Sequence, residues 1–595
     1  TRLADYTQLV VAPKEGRWKE ALAEAYGIVK GALAAPPSAA EIAREIANWR
    51  SSAVASVQGE PTRRSPQLAQ RLVSAVDDGE VVSTAAVTLA LIEEFAPRYT
   101  PAVVQAAAKA IFSGSGPRMV LLTPKPAEGA VAALAAAEAA PAVTNSDDRQ
   151  VTMADLPALG TPGREVSRKR VEDMDVTIVR FANGSTLIFK KTAFEQGSVG
   201  VGLRFGSGVA GFASDRRPLT WLAPLVIPSG MGTLDQEALD RLLTGRRASL
   251  SFGVDEDAYA MRGATSGKEL EDQLRLLAAK LAAPRWDAQL FERFRAGGLS
   301  SYDLSFASAS ARTGREFPAF VRGGDARWAP VEKPVLEGAK PAEFERFFGP
   351  LLKAGPIEVV VVGDVDLEAA VEAMKKTVAA LPPRPEATLS ASGLAVHPPA
   401  PSPKPVTFTH TGDPTQAQAL IGWTTFGGTS GIRERRALSL AANMLQVRLY
   451  ERLRDVQGRT YSPSASVSSS ETFPDWGIFY AAAEVRPEDA QGFLTMAREI
   501  VGDLAKKPAA ADEWQRTINP VLAGLERRLQ TNGYWMNALE DWSRKPELIE
   551  QTRSLLSDYR SITPEEVRSA VAKYVTDQGD WSMLVLPARI GSSVH

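Results

Sequence analysis

A chain of 595 residues is longer than one hydrophobic core usually organises; at about 100–200 residues per domain it should divide into three or four. Its 68 basic and 70 acidic residues leave a net charge of -2, too small a field to recruit nucleic acid or an anionic membrane. With no cysteine there is no disulfide, thiol nucleophile or cysteine-bound metal, and no apolar run reaches the roughly 20 residues that span a bilayer.

The opening "TRLADYTQLVVAPKEG" has neither an initiating methionine nor the layout of a signal peptide. It reads as the middle of a domain, with a strand expected around Tyr6 to Val11. Further on, "YTPAVVQAAAKAIFSGSGPRMVLLTP" (Tyr99 to Pro124) matches "ITPEEVRSAVAKYVTDQGDWSMLVLP" (Ile562 to Pro587). Each has a threonine suited to cap a helix, a proline for its first turn, an alanine-rich helix, a polar turn and an apolar strand closed by proline. Upstream, "YGIVKGALAAPPSAAEIAREI" and "REIVGDLAKKPAAADEWQRTI" form a second pair in the same order, which indicates duplicated domains. Laid over one another, the copies set "ADYTQLVVAPKEG" against "PDWGIFYAAAEVRPED". The stretch from about Pro405 to Ser470 then has no counterpart near the front, so roughly 70 residues of the first domain are expected to be missing.

Residues 125–175 are rich in Ala, Pro, Gly and charge and read as a linker with one short helix. Alternating apolar residues on both sides of Asn183-Gly184 then predict a hairpin, followed by a longer strand from Val199 to Phe205. "AEFERFFGPLLKAGPIEVVVVGDVD" is a third helix-then-strand unit, and a proline-rich break follows it. The predicted domains are therefore 1–124, 176–383 and 405–595, with linkers at 125–175 and 384–404. The predicted fold class is α+β, with repeated domains of antiparallel sheet and helices packed on one face.

Most catalytic signatures fail. "GATSGK" at Gly263 to Lys268 is one residue short of a phosphate-binding loop and has Glu269 where Ser or Thr should follow. "GVGLRFG" at Gly200 to Gly206 misses the dinucleotide spacing by one and lies in an alternating strand. The three histidines, His397, His410 and His595, have no partner at helical ligand spacing, so His410 is expected to be a hydrogen-bonded strand residue.

Three stretches, "VAPKEGRWKEAL", "VRFANGSTLIFKK" with "VGLRFGSG", and "LYERLRDVQGRTYSPSASVSS", together make the chain resemble the pitrilysin/insulinase-type zinc peptidases. The resemblance covers essentially the whole chain. It implies one half of a two-half clamshell, beginning within the second of four similar domains, with zinc held by an H-x-x-E-H motif in a first domain that this sequence does not contain. Where the third domain would repeat that motif, "PLTWLAPLVIPSGMGTL" places Thr220, Ala223 and Pro224, which cannot serve as ligands and base. In the fourth domain the resemblance assigns Arg454 and Tyr461 to substrate binding and transition-state support, with Arg459 as a competitor for the arginine role. A guanidinium and a phenol can both donate to a peptide carbonyl as charge develops on it. The implied cofactor is zinc on the missing portion. The implied partners are that N-terminal portion, or a companion subunit, and peptide substrates, with no nucleic acid and no membrane span. The implied location is periplasmic. The alternative is a non-catalytic structural or regulatory homologue; retention of Arg454 and Tyr461 favours the peptidase role.

Overall fold

The computed structural model describes all residues except 1–6, 12, 14–15, 115–118, 123–127, 144–149, 388, 390, 458–461, 576–578 and 589–595. The chain divides into two compact units: residues 1–157 with 195–198 and 230–248, and the remainder.

The first unit is helical, with helices at Trp18–Ala34, Ala39–Gly59, Ser65–Asp78, Ala85–Phe95, Pro101–Ile111, Ala130–Ala139 and Gln236–Leu243. Local chemistry sets their ends. Ser38 and Glu41 form a reciprocal capping box at the second helix. Thr100 caps the fifth, whose first residue is Pro101. A bidentate Arg50–Glu93 pair and an edge-to-face contact of Trp49 with Tyr99 tie helices together. Gly31 lets the Trp18–Ala34 helix approach the backbone of Val143, since a β-carbon there would lie 1.9 Å from the Val143 carbonyl oxygen. The expected strand near the start does not form in residues 7–11, and Tyr6 lies outside the described residues. A strand needs a partner, and the described part of this unit holds no β-strand, only an isolated bridge between Met231 and Leu234.

The second unit holds two sheets. Strands β1 (Glu165–Val171), β2 (Val176–Phe181), β3 (Thr186–Lys191), β4 (Val199–Phe205), β5 (Ser251–Val254), β6 (Tyr259–Thr265) and β7 (Glu358–Gly363) form one, in the order β1-β2-β3-β7-β4-β6-β5. Strands β8 (Val406–His410), β9 (Ala417–Thr424), β10 (Ser464–Ser469), β11 (Gly477–Val485) and β12 (Trp581–Pro587) form the other, in the order β10-β11-β9-β12-β8. The hairpin at Asn183-Gly184 joins β2 to β3, with Gly184 at φ +85° accommodating the left-handed turn. β1 lies inside the stretch read as linker and pairs with β2.

The two sheets repeat one pattern. β3 pairs in parallel with β7, which runs antiparallel to β4, then β6, then β5; β8, β12, β9, β11 and β10 reproduce that series. The expected α+β class and repeated sheets are thus present, with each sheet mixed through one parallel pair. That pair arises because the last strand of each repeat returns through a helix, the connection that parallel strands require.

Both faces of each sheet are covered, rather than one. Helices Leu270–Ala282 and Leu367–Lys376 pack on one face of the first sheet. Leu539, Trp542 and Leu548 cover Val176, Ile188, Val360 and Val362 on the other. Conversely, Phe317 and Phe320 of the Ala309–Phe320 helix cover Leu420, Ala482, Met583 and Val585 of the second sheet. The repeats therefore exchange covering segments, and Trp476 Nε1 donates to the Val321 carbonyl at 2.7 Å within that contact. Gly200 and Gly202 of β4 make room for Met536, since a β-carbon on Gly200 would lie 2.9 Å from its sulfur. This packing accounts for the glycines of "GVGLRFG". Among the described residues, no helix is long and apolar enough to cross a membrane.

Candidate peptide-binding face

The Ile432–Gln457 helix lies in sequence between β9 and β10. Leu438, Ala441, Leu445, Leu449 and Leu453 recur at helical spacing and are buried against the second sheet. Arg448 makes a bidentate pair with Glu513 at 2.7 and 2.9 Å, and Arg452 reaches Glu499 at 2.7 Å. These contacts fix which face of the helix remains uncovered. On it, Asn443, Val447, Tyr450 and Arg454 fall within one narrow stripe, with Val447 and Tyr450 51% and 49% exposed. Arg454 is exposed in the last turn, where a cation suits the helix dipole.

Beside this helix runs β10, an edge strand whose Ala465 N–H donates to the Gln446 side-chain oxygen at 3.4 Å. The serine-rich sequence "SASVSS" pairs on one side with β11. An arginine-ended helix and a strand edge therefore lie together, an arrangement that offers a cation, an aromatic ring and main-chain hydrogen-bonding groups to an extended peptide. Tyr461 and Arg459 lie outside the described residues. Val447 and Tyr450 escaped the sequence reading because Val447, Leu449, Tyr450 and Leu453 look alike as apolar helix positions. Their angular separation from the buried stripe was the available signal.

The equivalent position in the first sheet, between β4 and β5, holds the short 3₁₀ segment Leu219–Leu225 instead of a long helix. Pro218, Pro224 and Pro228 prevent an α-helix from propagating there. Leu222, Ala223 and Leu225 are buried, and Trp221 stacks on Phe294 at 6.0 Å. Thr220, Ala223 and Pro224 offer no imidazole or carboxylate, and no group of three His, Cys, Asp or Glu among the described residues could hold a metal ion. The residues present do not fit zinc. His410 is the hydrogen-bonded strand residue expected: Nε2 faces the Gln416 carbonyl at 2.8 Å and Nδ1 accepts from the Gly412 N–H at 3.2 Å.

A charged junction holds the two repeats in place. Arg204 of β4 is buried and donates to both carboxylate oxygens of Asp541, at 3.1 and 3.0 Å, to Glu540 at 2.9 Å and to Asp257 at 3.0 Å, and also pairs with Asp255. Lys545 lies 2.6 Å from Asp257. Burial pushes Asp257 up, but Lys545, Arg544 and Arg204 together hold it below the usual carboxylate range. Glu358, at the start of β7, accepts from the Asp541 N–H at 2.6 Å and from the Ser543 N–H and hydroxyl at 2.9 and 2.5 Å. Burial and the Asp541 charge outweigh those donors and push Glu358 up to about 7. None of these residues was singled out in the sequence, since 204, 255–257, 358 and 540–545 meet only after folding.

Residues 340–521 match the family described as Peptidase M16 inactive domain. The chain is 22% identical over 495 residues to the chloroplastic stromal processing peptidase of Arabidopsis thaliana, covering 73% of this chain and 39% of that protein. Among solved structures it is similar to the periplasmic protease PqqL from Escherichia coli, with a TM-score of 0.64 at 16% identity over 96% of this chain and 63% of that one. It is also similar to a peptidase M16 inactive domain from Pseudomonas fluorescens, with a TM-score of 0.58 at 17% identity over 70% of this chain and 98% of that one. The chain thus spans about two-fifths of the curated relative and less than two-thirds of PqqL.

Proposed function

We propose that the chain, whose residues 340–521 match the Peptidase M16 inactive domain and which is similar to the stromal processing peptidase and to PqqL, is the C-terminal portion of a zinc-dependent endopeptidase. In this reading it supplies peptide binding and one wall of an enclosed chamber. Zinc and the general base belong to an N-terminal portion carrying H-x-x-E-H. The proposed domains are the C-terminal part of a second peptidase domain at 1–124, a zinc-less third at 176–383 and a fourth at 405–595. A periplasmic location accords with the likeness to PqqL, itself periplasmic.

The observation that carries the reading is the uncovered stripe Val447, Tyr450 and Arg454 beside the edge strand β10. On this stripe the Ile432–Gln457 helix has Val447 and Tyr450 exposed, with the exposed Arg454 in its last turn. Arg454 would bind a substrate carbonyl or carboxylate as a point of charge, and Tyr450 and Val447 would hold an apolar side chain next to it. Tyr461, seven residues beyond Arg454, would donate its hydroxyl to the carbonyl under attack.

Steady-state kinetics of the assembled enzyme test this. Tyr461→Phe should lower turnover roughly 100- to 1000-fold, the usual loss for one donor to a developing oxyanion. Arg454→Ala should act mainly on KM, and Arg459→Ala should do less. Unchanged kinetics in both Tyr461→Phe and Arg454→Ala would point instead to a structural or regulatory role.

A further inference from the structure

At the outer edge of the second sheet a pocket of about 370 Å³ is lined by Asp303, Phe306, Arg312, Thr409 and Thr411. That volume falls in the range of about 300–1,000 Å³ usual for small-ligand sites. Its walls are fixed. The Thr411 N–H and hydroxyl both donate to the Phe306 carbonyl, at 2.8 and 3.2 Å, and the chain passes so close at Gly412 that a β-carbon there would collide with the Ala307 carbonyl. The Arg312 guanidinium lies over the rings of Phe306 and Phe408, 4.5 and 5.5 Å from their centroids. Its charge is only partly met: Glu316 is divided between Arg312 at 3.2 Å and Arg315 Nε at 3.4 Å. Among the described residues the Arg312 guanidinium donates no hydrogen bond, and its Nε is buried without a partner. Asp303, exposed at the start of the Asp303–Phe306 3₁₀ turn, and the exposed Thr409 hydroxyl also lack side-chain partners among the described residues. β8 is the outer strand of its sheet. The His410 carbonyl turns inward to accept from the Ala588 N–H, so strand alternation turns the main-chain groups of Thr409 outward, the side on which the Thr411 N–H meets Phe306.

We propose that this pocket binds a short peptide with both termini free, Arg312 taking its carboxylate, Asp303 its ammonium group, and the outward main chain of Thr409 its peptide bond. The charges select a zwitterion over a plain anion. Arg312 alone would suit any carboxylate or phosphate, but Asp303 in the same pocket repels an anion that carries no positive group. The hydroxyls of Thr409 and Thr411 have lone pairs for the ammonium protons. A free amino acid would meet both charges and leave the Thr409 main chain unused, whereas a peptide bond brings one donor and one acceptor to it. No residue of the Ile432–Gln457 helix or of β10 lines the pocket, so its occupancy does not depend on the peptidase reading.

Isothermal titration calorimetry on the 595-residue chain tests this with four probes: leucyl-leucine, its N-acetylated form, its C-terminal amide and free leucine. Leucyl-leucine should bind one to one with a Kd of about 1 mM or below. Each capped form should bind at least about tenfold more weakly, since each loses one charge-assisted contact, and leucine should bind more weakly than the dipeptide. Asp303→Asn should leave the melting temperature unchanged, because the side chain is exposed and unpaired, and should bring the dipeptide down to the affinity of its acetylated form without altering the latter. Arg312→Gln should do the same at the other end, lowering the dipeptide to the level of its amide; if this variant melts lower because its stack on Phe306 and Phe408 is lost, the Asp303→Asn comparison decides. Four results would overturn the proposal: no saturable binding of leucyl-leucine up to about 10 mM, capped forms that bind as well as the dipeptide, leucine that binds as well as the dipeptide, or dipeptide affinity unchanged in Asp303→Asn. Binding that survives Asp303→Asn and falls with Arg454→Ala would place the dipeptide on the Ile432–Gln457 helix and overturn the pocket as its site.

Discussion

Replacing Arg204 by methionine keeps most of the side-chain volume and removes the cation shared by Asp541, Asp257, Glu540 and Asp255. Breaking a buried pair by deleting one partner costs about 3–5 kcal/mol, because the remaining charge is left without its counter-ion. Here the low end applies: Arg262 still reaches Asp255 at 2.9 Å and Glu540 at 3.1 Å, and Lys545 still reaches Asp257 at 2.6 Å. A loss of about 3 kcal/mol at the rate of about 2 °C per kcal/mol for large domains lowers the melting temperature by about 6 °C. The sign with pH follows from the same groups. Asp257 is held below its ordinary value in the folded chain, so its contribution is present above the unfolded carboxylate range and lost as pH falls through it. The gap between Arg204→Met and the parent should therefore be largest at neutral pH and shrink below about pH 4, where the orphaned carboxylates can take up protons. Adding Asp541→Asn should recover part of the loss, because one of the unpaired charges goes with it. Urea unfolding followed by tryptophan fluorescence suits the test, since Trp542 is buried at this junction. Arg204→Met within about 0.5 kcal/mol of the parent at pH 7, the range of ordinary surface substitutions, would refute the junction's structural role.

Glu358 sits at about 7, above its unfolded value, so the folded chain holds a proton that the unfolded chain releases; this stability is present at low pH and lost as pH rises from about 4.5 to about 7. Glu358→Gln should remove that slope in urea titrations at pH 5, 6 and 7, and lower stability by about 1–3 kcal/mol because an amide must turn N–H toward donors; an unchanged slope would refute it. Gly422→Ala would place a β-carbon 2.2 Å from the Trp581 ring, so a loss of about 1–3 kcal/mol is expected, read as a lower melting temperature. Trp476→Phe should cost about 1–3 kcal/mol by leaving the buried Val321 carbonyl without its 2.7 Å donor; calorimetry showing no change would mean that the exchanged helix is held otherwise.

What the sequence disclosed was local and periodic. The Asn183-Gly184 turn, the strand β4, the Thr-Pro helix starts and the hydrogen-bonded His410 all follow from short-range chemistry, and each is found in the structure. The run "EVVVVG" of β7, buried throughout, also signalled a strand covered on both faces, an inference its continuity allowed but which was not drawn. The exchange of covering segments was hidden for another reason. Phe317 and Phe320 read as the apolar face of a helix in their own repeat, and nothing in their spacing says that they pack on the other sheet. Arg204, Glu358 and Asp541 were hidden by distance along the chain, since charged residues read as surface until their partners are known. On the candidate face, Arg454 was named through the family resemblance alone, and the structure places it exposed in the last turn of its helix. Val447 and Tyr450 were not named, because exposure of an apolar side chain is a property of packing.

The proposal that this chain is the C-terminal, peptide-binding portion of a zinc peptidase is tested most directly by reconstitution. Hydrolysis of a fluorogenic peptide is measured for the 595-residue chain alone, for the zinc-binding half alone and for an equimolar mixture. Cleavage should be negligible in the chain alone, weak in the zinc-binding half alone and at least about 100-fold faster in the mixture, since positioning groups from one half acting on a substrate at the other commonly contribute that much. Zinc-dependent cleavage by the chain alone, or full activity of the other half without it, would contradict the account.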